Sequence, residues 1–220
     1  MANHLDLEEQ EQLDELKHFW KQYGNAVTWL LIVVLGAVAA WNGYQYWQRS
    51  QASQAAAMFD EVIKVAGAGD AEKADRAFSD MRDRFSSSTY TSQAGLIIAK
   101  TLYESGKLDS AKSTLKWVAE KSSDQGYATI AKLRMSALLM EEKAFDDALK
   151  ALDGVSGEQF AGLAADRRGD IFMAQNKKAE AKAEYVKAYK AMDARTEYRR
   201  LVEVKLNAMG FNPAADEVAK

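Results

Sequence analysis

Side chains that commonly do chemistry are scarce in this chain. There are two histidines, His4 and His18, and no cysteine. Thiol catalysis, disulfides and cysteine-ligated metals are therefore excluded. No histidine follows His18, so a serine triad has no base in the rest of the chain. Metal ligation would fall to carboxylates alone, and no loop has the ligand spacing of a calcium hand. Gly154-Val155-Ser156-Gly157 has no strand before it and reads as a turn, not a phosphate loop. The densest charged run is Asp166-Arg167-Arg168-Gly169-Asp170. It has two readings, an ion-pair face within the fold or a partner site. No catalytic residue, metal site or cofactor is expected, which leaves binding as the use of the chain.

The elements that would carry such binding start with a hydrophobic run. Gln22 to Gln48 is uncharged over 27 residues. Its apolar centre, Ala26 to Trp41, spans roughly 24 Å as a helix, and extension to Tyr44 brings it to the length a bilayer needs. Trp20 and Tyr23 lie before the run, and Trp41, Tyr44 and Trp47 after it. Aromatic side chains with one polar end collect at the two membrane interfaces, so these five are read as interface anchors. A buried helix of a soluble protein leaves that placement unexplained. A cleaved signal peptide would open with a basic segment, whereas residues 1–21 carry six acids and two lysines. Within the run, Gly36 and Ala40, and Ala39 and Gly43, are four apart, a spacing that lets a second helix approach closely in lipid.

Residues 1–47 carry a net charge of −4 and residues 48–220 a net charge of +1. The larger part therefore offers no electrostatic case for nucleic acid. Lys17 and Lys21 before the run, against Arg49 after it, bias the N-terminus to the cytoplasm and the rest across the membrane. Leu16, Phe19, Trp20 and Tyr23 fall on one helical face, and predict a short amphipathic helix on the cytoplasmic surface. Gly43 is the one candidate flexible point between the run and the larger part of the chain.

The remainder has one proline, Pro213, and reads as all-α. A repeat is visible in it. Ala74, Ala111, Ala148 and Ala181 are each succeeded four residues later by Phe78, Leu115, Leu152 and Tyr185. Five residues before each alanine stand Gly69, Gly106, Lys143 and Asn176, where turns are expected. Twelve before stand Val62, Ala99, Ser136 and Gly169. This is the tetratricopeptide register: small residues where two helices of a pair meet, then a large apolar residue that fills the gap to the next pair. Asp109 is expected to cap a second helix, and Thr196 to Met209 to cover the end of the stack.

The predicted organisation is a cytoplasmic acidic tail with a short amphipathic helix (1–22), a transmembrane anchor (23–47), a tetratricopeptide-like α-solenoid of about four helix pairs with a C-terminal capping helix (48–210), and a tail (211–220). By the repeat register, Gln93, Lys100, Glu104, Ile130, Leu133, Met140, Asp166 and Asp170 would face the groove made by the first helices.

The acidic start DELKHFWKQYGN (Asp14 to Asn25), the single anchor, AADRRGDIFMAQ (Ala164 to Gln175) and the closing Leu201 to Met209 together resemble the YfgM-type ancillary SecYEG translocon subunits of bacteria. The resemblance covers nearly the full chain and contains no catalytic motif. It implies a single-pass protein of the bacterial inner membrane, N-terminus cytoplasmic and repeats periplasmic. It further implies association with Sec translocon subunits and with a membrane-anchored periplasmic chaperone of the peptidyl-prolyl isomerase type, in the service of exported client chains. On this reading the Gly36/Ala40 face meets the translocon within the lipid bilayer. The alternative is a structural organiser or oligomeric scaffold of cell-envelope assembly or division.

Overall fold

The computed structural model describes residues 7–155 and 157–213, and the chain divides into two units, Met1–Ser53 and Gln54–Lys220. Among the described residues every regular element is a helix: α1 (Leu7–Gly67), α2 (Ala71–Phe85), α3 (Thr89–Glu104), α4 (Leu108–Lys121), α5 (Gln125–Glu141), α6 (Phe145–Asp153), α7 (Glu158–Ala174), α8 (Lys178–Ala191) and α9 (Glu197–Ala208). The first unit is the N-terminal part of α1. It contains no break where a separate amphipathic helix was expected, and the helix runs unbroken through Gly43. Proline is absent there, and a single glycine costs a helix only about 1 kcal/mol, so nothing in the sequence forces a stop.

In the second unit each helix from α2 onward packs on the next, and α3 meets α5 and α5 meets α7. The first helices of successive pairs therefore share one side. The repeat register is the packing code of this unit. Ala74, Ala111, Ala148 and Ala181 are all fully buried, and Phe78, Leu115, Leu152 and Tyr185 nearly so. At Gly169 the approach is too close for any side chain, because a Cβ built there would lie 2.5 Å from the Tyr185 ring. Ser136 is buried at the equivalent position with its hydroxyl unpartnered. Phe78 receives Trp117 edge-on at 5.7 Å, which ties the first pair to the second.

The turns repeat as faithfully as the core. Gly69, Gly106, Lys143 and Asn176 all have positive φ, between 61° and 76°. In the last three the next N–H donates to a carbonyl five residues back: Lys107 to Leu102, Ala144 to Leu139 and Lys177 to Phe172. This closing turn satisfies carbonyls that a helix end leaves free. The same turn places Lys107 at the N-cap of α4, with no side-chain capping bond. Asp109 is thus not the cap expected of it; it stands in the first turn and pairs with Lys112 at 3.1 Å. Asp124 does cap α5, accepting from the backbone N–H groups of Gly126 and Tyr127.

Helix α9 docks on α8 through Val202 and Leu206, both fully buried in a cluster with Ala181, Tyr185 and Ala188. It ends in the same left-handed turn, at Gly210, with the Phe211 N–H donating to the Leu206 carbonyl. In register, α9 is the first helix of a further pair.

Candidate functional site

This architecture presents two surfaces. The first lies on α1, the one described helix long and apolar enough to cross a bilayer. Trp20, Tyr23, Trp41, Tyr44 and Trp47 are all exposed on it, as is the intervening apolar run. Gly36, Ala39, Ala40 and Gly43 are exposed too, and a Cβ at either glycine would meet nothing within 4 Å. The small residues are therefore not needed for packing within the chain.

The second surface is the first-helix side of the repeats. On α3, Gln93 is half-buried, while Lys100 and Glu104 are exposed and 3.7 Å apart. On α5, Ile130 packs against the core of Leu96, Leu115 and Ala131, and Leu133 and Met140 pack against Ala148, Leu152 and Ile171. All three are half-buried, so they are as much wall as surface. On α7 the expectation changes most. Asp166 is only 1% exposed and does not face an open groove. Tyr198 of α9 donates to it at 2.8 Å and the Lys205 ammonium at 2.7 Å. Lys205 also donates to Asp170 at 2.7 Å, and the Tyr185 hydroxyl donates to the same carboxylate at 2.8 Å. One ammonium, two carboxylates and two phenols thus latch α9 to α7 and α8. Burial first, then the bonds to Asp170 and Asp166, push the Tyr185 and Tyr198 phenols well above their ordinary range, so both remain donors.

The rest of the charged run is engaged in the same way. Arg167 lies 3.8 Å from Asp170, and Arg168 donates to the Leu152 carbonyl at 3.1 Å. Asp166 and Asp170 are four apart and Tyr198 and Lys205 seven apart, so each pair shares a helix face. That spacing is the only signal of the latch in the sequence, and such spacings are too common to single one out.

A cleft with no signature in the repeat register lies between α3 and α5, about 340 Å³ in volume. Ala99, Leu115, Ala137 and Leu138 supply its apolar lining, and Lys100, Tyr103, Arg134 and Glu141 its polar rim. The Tyr103 hydroxyl donates to Glu141 at 2.8 Å, and this bond raises the phenol above its usual range. Arg134 donates one nitrogen to the Leu96 carbonyl at 2.7 Å. Of the expected groove residues, only Lys100 belongs to this cleft. Among the described residues no group of three or more His, Cys, Asp or Glu is placed to hold a metal ion.

Stacked helix pairs in this register, preceded in the chain by a helix with a bilayer-length apolar run, define a tetratricopeptide-type helical-repeat protein. The tetratricopeptide repeat-like domain family matches residues 17–211. The ancillary SecYEG translocon subunit of Neisseria gonorrhoeae is 32% identical over 95% of this chain and 100% of its own length. That of Haemophilus influenzae is 30% identical over 83% of this chain and 89% of its own length. The Escherichia coli subunit is 24% identical over 92% and 97% respectively. The chain belongs to this tetratricopeptide repeat-like family, among the ancillary SecYEG translocon subunits.

Proposed function

We propose that this protein is a membrane-anchored adaptor of bacterial protein export, working beside the Sec translocon as its relatives are named to do. The observation that carries the reading is the match over the whole length of a relative called an ancillary SecYEG translocon subunit. Residues 23–47 are its single span of the inner membrane. Their exposed apolar side chains, Val33 at 63% and Leu35 at 66% among them, are surface that lipid or another membrane helix covers. The lysines before the span favour a cytoplasmic N-terminus and a periplasmic repeat domain. The Gly36/Ala40 and Ala39/Gly43 rows are the contact for a translocon helix. The first-helix side of the repeats is the contact for a periplasmic chaperone of the peptidyl-prolyl isomerase type, or for the emerging client chain. The adaptor acts by holding partners, not by catalysis.

Site-specific photocrosslinking in intact cells tests this, with one probe at Leu35 and one at exposed Lys100. Adducts to translocon subunits from Leu35, and to a periplasmic chaperone or exported chains from Lys100, are expected. Cytoplasmic partners from Lys100 would overturn the orientation. Adducts only to further copies of the chain would replace the adaptor by an oligomeric scaffold.

A further inference from the structure

The cleft between α3 and α5 has a composition that selects its occupant. Its lining is apolar, from Ala99 and Ala137 to Leu115 and Leu138, and 340 Å³ admits one or two aliphatic side chains. The charges around it are unequally engaged. Glu141 accepts the Tyr103 hydroxyl, and Glu104 lies 3.7 Å from Lys100. Arg134 differs. It bonds to a neutral acceptor, the Leu96 carbonyl, and among the described residues no carboxylate lies within ion-pair distance of it. Shelter from solvent at this site pulls the guanidinium pKa down, and no neighbouring charge pulls it back. Arg134 nonetheless remains exposed at the rim of the cleft, and a planar guanidinium with free N–H groups and no counter-ion is suited to a carboxylate.

We propose that this cleft is a docking site for a protein segment that presents an aliphatic side chain next to an aspartate or glutamate. The aliphatic group enters the apolar lining and the carboxylate meets the free nitrogens of Arg134, with Lys100 beside it. Hydrophobic anchor and charge-assisted bond then act together, as they do at the centres of many protein interfaces. The inference rests on the first-helix side being the partner surface, and it names the chemistry of that partner. A terminal carboxylate is not required, because the charge is supplied from within the segment.

The probe is a set of hexapeptides, acetylated and amidated, that carry photo-leucine followed by Glu, Gln or Lys. Each is photolysed with the full chain in lipid nanodiscs, and the labelled residues are located by mass spectrometry. The Glu peptide is expected to label α3 and α5 around Ala137 at least fivefold more than the Gln peptide, with the Lys peptide weakest. Arg134→Gln, which keeps a donor for the Leu96 carbonyl, should equalise Glu and Gln. Arg134→Lys should retain part of the preference. Ala137→Leu, which fills the cleft, should abolish labelling there by all three. Equal labelling by Glu and Gln on the unaltered chain, labelling confined to other surfaces, or a preference that survives Arg134→Gln would each overturn the proposal. The adaptor reading stands or falls separately, on crosslinks to translocon subunits in cells.

Discussion

Both units of this chain are helix, and they place their apolar side chains oppositely. In the first unit Trp29, Leu30, Ile32 and Val33 are all more than half exposed. In the second, the large apolar residues of the core are nearly inaccessible, with Ile98, Leu102, Ile171 and Leu206 at 0%. The same residue types therefore serve two solvents. In the first unit apolar residues surround the helix, and that is what a lipid-facing helix needs. In the second they recur at one face, with alanine or glycine where two backbones must approach. The contrast teaches that glycine has no fixed meaning in this chain, and that a buried charge is tolerated only where several partners converge.

The sharpest way to break the comparison is through the latch on α9. Asp166 is buried and shares Lys205 with Asp170, and the pair has no equivalent among the described residues of the first unit. Lys205→Met removes the cation and keeps its stem. Two carboxylates are then left together in a sheltered site, and the expected loss of stability is about 3 kcal/mol. Chemical denaturation of the full chain in detergent, monitored by far-ultraviolet circular dichroism, would register it as an earlier transition of the repeat unit. An unchanged midpoint would mean that Lys205 is replaceable by water and that α9 is held by Val202 and Leu206 alone.

Glycine substitutions give the next largest effect and the most direct contrast. A methyl at Gly169 would stand 2.5 Å from the Tyr185 ring, which is itself held by Asp170. Gly169→Ala is expected to destabilise the repeats by about 2 kcal/mol through overpacking. Gly36→Ala meets nothing and should leave the fold unaffected. A Gly36→Leu, Ala40→Leu chain should likewise insert normally, yet copurify poorly with translocon subunits. If copurification is unchanged, that face has no part in the contact.

Much of this is legible in the residues themselves. The alanine positions, the large residue four further on and the left-handed turn five before can be read because each is a steric requirement imposed on a single position. The latch is not legible, because it joins residues up to 39 apart in sequence whose types are ordinary on helix surfaces. Register alone assigns Asp166 to the groove, and α9 supplies partners that register does not encode. The α3–α5 cleft escapes for a related reason. Tyr103, Arg134 and Glu141 come from two repeats and become a set only when the helices pack.

Alkaline titration probes the latch without removing it. The Tyr185 and Tyr198 phenols are raised above the ordinary value of 10.0 by burial and by bonding to carboxylates. A group whose folded pKa is raised contributes stability that is complete below its unfolded pKa and declines as pH rises beyond it. The repeats should therefore be unaffected by these two groups up to about pH 10 and lose stability above it. Tyr198→Phe should cost about 1 kcal/mol at neutral pH, since the Asp166 carboxylate loses a donor but keeps Lys205. It should also make the alkaline decline shallower. An alkaline decline as steep as in the parent chain would assign it to other groups.

The smallest effect concerns the turns, where the second unit departs from its own rule. Gly69 and Gly106 take positive φ freely, whereas Lys143 holds φ at 62° with a side chain. That conformation costs a non-glycine residue roughly 1 kcal/mol, and asparagine, as at Asn176, less. The Lys143 side chain is exposed. Lys143→Gly should relieve the strain, but glycine also gains freedom in the unfolded chain, so a net gain of about 0.5 kcal/mol is expected. In Asn176→Gly the first term is smaller while the second is unchanged, and the gain should vanish. Parallel thermal melts of the two variants read the difference directly. Equal shifts would mean that the left-handed turn is set by the bonds that close it, with the identity of the turning residue immaterial.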